Sequence, residues 1–156
     1  MKYAQIVGRP NIDEMPDFYE LMASSSCVEE ARMYDSNKSD SDNPVALYEV
    51  HGDVECFHDR LEDIPEVEKA TTTEISDRRF NLLVVLDLTE ATVIEDVLEA
   101  VTKEGLIVAK PVVYRDGEVH ARIVGSSSTL QTAVEEMPSE IDLEIVSVGE
   151  FDRSRE

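Results

Sequence analysis

Residues 48–65 read YEVHGDVECFHDRLEDIP, and residues 121–138, 73 positions later, read ARIVGSSSTLQTAVEEMP. The two stretches share a pattern more than they share identities. The positions that coincide are Gly52 with Gly125, Pro65 with Pro138, Phe57 with Leu130, and Leu61 with Val134. A strand, a glycine, a helix of equal length and a closing proline therefore recur, which predicts an internal duplication.

The middle of the first copy has the spacing of an amphipathic helix. Val54, Phe57 and Leu61 fall at positions i, i+3 and i+7, which is the pattern of one buried helical stripe. Asp53 is placed to cap the start of this helix, and Pro65 lies just beyond its end. We therefore expect a structural helix here.

Cys56 and His58 lie on this predicted helix and raise the alternative of a metal or redox site. Two positions apart, they diverge by roughly 200° around a helix, so they need a third element to bind one ion. The equivalent residues in the second copy, Thr129 and Gln131, bind no metal. We expect no metal and no other cofactor. The alternative is a redox or metal sensor, and the residues it would use are Cys27, Cys56, His51 and His58.

The remaining elements arrange themselves around the repeat. Strands are predicted at residues 2–7, 28–35, 44–50, 67–75, 80–88, 106–114, 118–124 and 141–148, and helices at 16–26, 53–64, 92–105 and 126–137. Each half then reads βαββαβ, so we predict an α+β fold of tandem duplicated ferredoxin-like units, each with an antiparallel four-stranded sheet. The predicted halves are residues 1–76 and 77–152, with the boundary near Ser76 to Arg79.

The strand predicted at 80–88 is apolar on both sides. Phe80, Leu82 and Val84 alternate with Leu83 and Val85. This pattern is typical of a strand that is buried on both faces. We expect the other half or a second copy of the chain to cover the second face.

The charge of the chain restricts its partners. It has 35 Asp and Glu against 14 Lys and Arg, a formal net charge of −21, and the acidic residues are dispersed along its length. Such a surface repels phosphate, so direct binding of nucleic acid is disfavoured. Dispersed carboxylates also suit molar salt, where the Debye length falls to about 3 Å. This composition indicates a halophilic protein.

Targeting and cysteine patterns favour the cytoplasm. The N-terminal MKYAQIVGRP lacks the apolar core of a signal peptide, and no later segment reaches the ~18 apolar residues of a membrane span. The chain has only 2 cysteines and no C-x-x-C motif, which is too few for a disulfide framework. We therefore expect a soluble protein of the reducing cytoplasm with no membrane partner.

Catalytic motifs are missing from the sequence. It contains no G-x-S-x-G, no H-E-x-x-H and no glycine-rich phosphate loop with its lysine. Adjacent carboxylates are frequent in so acidic a chain and carry no acid–base signal. We expect the protein not to be an enzyme.

One segment, residues 105–125, departs from the overall acidity. Alternation in its second strand places His120 and Arg122 opposite the core-facing Val119, Ala121 and Ile123. Its basic residues are Lys110, Arg115, His120 and Arg122. They form a candidate contact surface for an anionic effector, a second subunit or an adjoining domain. The alternative is that they only neutralise neighbouring carboxylates.

Three stretches carry a resemblance to a known family. MYDSNKSDSDNPVALYEVHGD, GLIVAKPVVYRDGEVHARIVG and TLQTAVEEMPSEIDLEIVSVGEFD are similar to the N-terminal domain of haloarchaeal helix-turn-helix regulators of the bacterio-opsin-activator (Bat-like) type. The resemblance covers about residues 1–152. It implies a regulatory domain that binds a small effector or a partner protein and acts on DNA only through an absent C-terminal helix-turn-helix.

The resemblance leaves open the extent of the chain, its oligomeric state and two alternative functions. Residues 153–156 would begin the linker to the missing reader, and the chain is either truncated or naturally lacks that reader. We expect a homodimer. A redox or metal sensor and a stand-alone dimerisation module are the alternative functions.

Overall fold

The computed structural model describes residues 1–37, 43–87 and 105–150. Over these residues the strands are β1 (Lys2–Pro10), β2 (Val28–Asn37), β3 (Val45–Gly52), β4 (Val67–Ser76), β5 (Arg79–Leu86), β6 (Ile107–Arg115), β7 (Glu118–Gly125) and β8 (Ile141–Glu150). The described helices are α1 (Asp17–Ser24), α2 (Val54–Leu61) and α3 (Ser127–Glu135). The strands and these helices thus lie close to their predicted positions. The predicted helix 92–105, apart from its last residue, and the linker 153–156 lie outside the described residues.

The strands form one antiparallel sheet. Its eight described strands follow the order β4-β5-β3-β2-β6-β7-β1-β8. The predicted tandem ferredoxin-like units with separate four-stranded sheets are therefore wrong, and the protein has a β-rich fold with short helices. The two groups of four strands meet at β2 and β6, which pair at Ala31 with Tyr114 and at Met33 with Val112.

The exchange of two strands accounts for the wrong prediction. In the predicted units β1 would lie between β4 and β3, and β5 would lie between β7 and β8. In the structure β5 lies between β4 and β3, and β1 lies between β7 and β8, so the two strands have exchanged places. Only residues 77–78 separate β4 from β5, and so short a connection favours an antiparallel hairpin. Periodicity predicts which segments are strands, but it does not determine their partners. The division into residues 1–76 and 77–152 remains a prediction about domain organisation.

The described helices pack on one face of this sheet, and the core lies between the two layers. Around α1 and α2 the strands contribute Val50, Phe80 and Leu82, each with at most 1% of its surface exposed. Under α3 a second cluster includes Ala4, Ile6 and Ile123. The apolar stripe predicted for residues 53–64 is confirmed, because Phe57 is fully buried and packs against Phe80 at 5.1 Å between ring centroids.

The duplicated strand–glycine–helix pattern has a physical cause in each copy. The Asp53 side chain accepts a hydrogen bond from the Cys56 backbone N–H at 3.1 Å, and Ser126 caps α3 in the same way. A Cβ at Gly52 would overlap the carbonyl oxygen of Cys27, and one at Gly125 would lie 2.9 Å from a backbone oxygen. Both glycines are thus required where the strand passes close to another backbone segment.

Helix α1 lies over the junction of the sheet. The Tyr19 hydroxyl donates to the Gly117 carbonyl at 3.2 Å, and the Gly117 N–H donates to the Ala23 carbonyl at 2.7 Å. The Tyr19 and Tyr114 rings are 6.0 Å apart. The turn between β6 and β7 is therefore fastened to the helical layer.

Candidate functional site

The sheet face opposite the described helices, here called the open face, is the candidate functional surface. In an antiparallel pair, residues directly opposite each other share a face. Since Tyr48, Val50 and Leu82 point towards the helices, their strand neighbours Leu47, Glu49 and Leu83 belong to the open face.

The open face balances its charges in a chain of −21. The pairing register gives it the basic residues Arg9, Arg32, Lys69, Arg79, Arg115 and Arg122, and the acidic residues Glu30, Asp35, Glu49, Glu118, Asp142 and Glu144. The two sets are equal in number. The excess negative charge therefore lies elsewhere on the protein.

Ion pairs join these charges within strands and between neighbouring strands. Arg79 donates to Glu49 at 2.7 Å, and His51 lies 3.1 Å from the same carboxylate. On the next strand Glu30 accepts from Arg32 at 2.7 Å and from Arg115 at 3.1 Å.

Arginine partners lower the pKa of two carboxyl groups on the open face, Glu30 and Glu118. Burial raises the pKa of Glu30, but hydrogen bonds from Arg32 and Arg115 outweigh it and hold the pKa below its usual 4.5. The pKa of Glu118 is lowered chiefly by the hydrogen bond from Arg9. These carboxylates are therefore held in their charged form.

Each of the predicted contact residues is placed beside a partner. Lys110 Nζ lies 3.1 Å from Asp35, Arg115 Nη1 lies 3.1 Å from Glu30, and His120 Nε2 lies 3.2 Å from Glu118. The guanidinium carbon of Arg122 lies 5.3 Å from the centroid of the Tyr3 ring. His120 and Arg122 lie on the open face, as alternation predicts. These contacts favour the neutralising interpretation within the chain, and a role in binding stays a prediction.

The open face also carries an apolar cluster, of which the sequence singled out only Leu83 and Val85 on β5. Leu47 and Leu83 are directly opposite each other and are 41% and 47% exposed. Val45 and Val85 form the adjacent pair. Leu83 is therefore exposed within one chain, and the cover by a second copy, one of the two covers expected for β5, stays a prediction. Only the strand order, which brings β5 beside β3, could have revealed this cluster.

The structure brings together only part of the alternative metal or redox set. Cys27 and Cys56 are joined as a disulfide with 5.4 Å between their Cα atoms, which departs from the reduced cysteines that a reducing cytoplasm implies. His58 instead lies 2.9 Å from the Thr72 hydroxyl, and His51 lies beside Glu49 on the opposite side of the sheet. Within residues 1–37, 43–87 and 105–150, no three His, Cys, Asp or Glu side chains are arranged to hold a metal ion.

None of the helices that the structure describes is long and apolar enough to cross a membrane.

Comparison with known proteins identifies the family of this domain. No curated protein and no solved structure matches the chain. The sequence model of the haloarchaeal family described as HVO_0513_N, N-terminal, matches residues 17–151. This match covers the three described helices and every described strand except β1, and the chain belongs to that N-terminal domain family.

Proposed function

We propose that this domain is the regulatory N-terminal part of a haloarchaeal helix-turn-helix transcription regulator of the cytoplasm. It binds an effector or a partner protein and is not itself the DNA reader or an enzyme. The observation that carries the proposal is the open face, where matched charges and exposed leucines are concentrated in a chain of −21. Arginine and apolar side chains with few unbalanced charges are typical of protein contact surfaces.

The charge of the domain supports the presence of a separate DNA-binding domain. A net charge of −21 opposes binding to phosphates, so contact with DNA requires another, basic domain. The family of the chain is described as an N-terminal domain, which agrees with a reader that follows it. We expect the gene to encode a basic helix-turn-helix after Glu156, and a continuation without one would contradict this part of the proposal.

A contact on the open face has a route to the helical layer. Arg115 ends β6 beside the turn whose Gly117 is hydrogen-bonded to Tyr19 and Ala23 of α1. A partner that displaces Arg115 from Glu30 would alter the strand end to which α1 is fastened. Binding could thereby favour one of two arrangements of the domain, which is the physical requirement for regulation.

The test is a reporter assay with the full-length gene product. Arg115→Gln and Arg122→Gln each remove one charge from the open face, and we expect both to change reporter output at least several-fold. Arg60→Gln is the matched control, because Arg60 is exposed on α2, on the opposite side of the molecule. Unchanged output from both open-face variants, with melting temperatures at the wild-type value, would refute a regulatory role for this surface.

The disulfide supports a second candidate, a redox sensor. Cys27 is 1% exposed, whereas Cys56 is only partly buried and therefore more accessible to an attacking thiolate. A dithiol reductant would take the two sulfurs to thiols and itself become a disulfide. If the sensor interpretation holds, Cys27→Ser/Cys56→Ser abolishes any response of the reporter to reductant, whereas a response that persists in this variant excludes it.

A further inference from the structure

Four apolar side chains form a patch at one end of the open face. Val45 lies opposite Val85, and Leu47 lies opposite Leu83, on the neighbouring strands β3 and β5. We call Val45, Leu47, Leu83 and Val85 the apolar quartet. Its two leucines are 41% and 47% exposed, although the alternate residues of the same strands are buried. β5 thus has the composition of a strand covered on both faces, but the described helices cover only one of them.

Charge limits what can cover the quartet. Two copies that each carry −21 repel each other through most of their surfaces. The open face is the exception, because its basic and acidic residues are equal in number. Glu49 follows the quartet along β3, and its charge is neutralised within the chain by Arg79 at 2.7 Å. On the flanking strands Lys69 lies opposite Val85, and Asp35, which pairs with Lys110, lies opposite Leu47. A second open face can therefore approach without net repulsion.

The size of the surface is sufficient for a stable dimer. Eight strands about 4.8 Å apart and about seven residues long form a face of roughly 900 Å². A standard interface buries about 800 Å² per partner. In a two-fold dimer the same patch on each chain meets itself, so the quartet would meet the quartet and the ion pairs would form the polar rim.

We propose that the open face binds a second copy of this chain, with the two apolar quartets in contact across a two-fold axis. The proposal rests on the function proposed above and specifies the partner at its contact surface. Side chains from the two sheets interdigitate about 10 Å apart, as in aligned sheet packing. The exposed leucines of each chain are then buried by those of the other.

The first experiment measures the mass of the 156-residue chain by light scattering and its dissociation constant by sedimentation, in about 2 M KCl to screen repulsion. Wild-type protein should be a dimer. Leu83→Glu places a charge in both apolar quartets, beside the proposed two-fold axis, and should raise the dissociation constant about 100-fold or more. Val148→Glu is the matched control, because Val148 is 63% exposed on the helix-side face of edge strand β8. It should leave the dimer intact.

A second measurement does not depend on how well Leu83→Glu folds. Leu83→Cys adds one thiol close to the proposed two-fold axis, so mild oxidation with a copper–phenanthroline complex should join two chains. Val148→Cys should not form this covalent dimer at the same protein concentration.

A monomeric wild-type chain at high concentration, or an unchanged dimer of folded Leu83→Glu without crosslinking of Leu83→Cys, would overturn the proposal. The reporter assay separates this failure from that of the proposed function. If Arg115→Gln still changes reporter output while the chain stays monomeric, the open face binds a partner other than itself.

Discussion

The two faces of the sheet differ in what they contribute. The helix-covered face carries the apolar core, where Val50 and Leu82 of the sheet and Phe57 of α2 are fully buried. The open face carries paired charges and, at one end, the apolar quartet with its two exposed leucines. Burial of apolar area is the dominant source of stability, whereas exposed ion pairs contribute little. The comparison therefore indicates that one face holds the fold and the other is available for contact.

The largest expected effect comes from opening the helix-covered core. Phe57→Ala removes a fully buried ring that packs on Phe80 and should lower the free energy of unfolding by about 3–5 kcal/mol. Leu83 lies on the open face of β5, and Leu83→Ala should lower the free energy of unfolding of the monomer by under about 1 kcal/mol. Urea titrations at protein concentrations below dimerisation measure both. Equal losses of unfolding free energy in the two variants would contradict the proposed difference between the two faces.

Removal of the disulfide should have the next largest effect on stability. This bond joins the start of β2 to α2 on the helix-covered side and closes a loop with a sequence separation of 29. A loop of that length is expected to contribute about 3–4 kcal/mol by restricting the unfolded chain. Cys27→Ser/Cys56→Ser should therefore unfold at lower urea than the oxidised wild type. Reductant should bring the wild type to the same midpoint and leave the double variant unchanged, and a wild type insensitive to reductant would contradict the prediction.

This bond also shows where sequence reasoning stops. Its two cysteines lie at the end of the β2–β3 pairing, where Val28 is opposite Gly52 and the Asp53 N–H donates to the Cys27 carbonyl at 2.9 Å, and no local pattern fixes that register. The same holds for the apolar quartet, which exists only because β5 pairs with β3. In contrast, the α2 helix with its Asp53 cap is local, so it could be predicted from spacing alone. His120 and Arg122 could likewise be placed on the open face by alternation, as could Glu118 on the same strand, but the approach of Arg122 to Tyr3 on β1 could not be predicted.

The smallest expected effect concerns the ion pairs of the open face. Glu30 is 17% exposed and accepts hydrogen bonds from Arg32 and Arg115, which hold its pKa below 4.5 despite burial. A carboxyl group whose pKa is lower in the folded state stabilises the fold above its unfolded pKa. That stabilisation is lost as the pH falls through the folded pKa, so the window lies below about pH 4.5.

Glu30→Gln should therefore lower the free energy of unfolding at pH 7 by about 1 kcal/mol or less, and by still less at about pH 3. Glu29→Gln is the matched control, because Glu29 pairs with Arg78 while 66% exposed and such pairs contribute little. Urea titrations of both variants and the wild type at the two pH values provide the measurement. A Glu30→Gln loss that is the same at both pH values would mean that the two arginines do not stabilise its charge. The open face would then hold its carboxylates no more firmly than the rest of the acidic surface does.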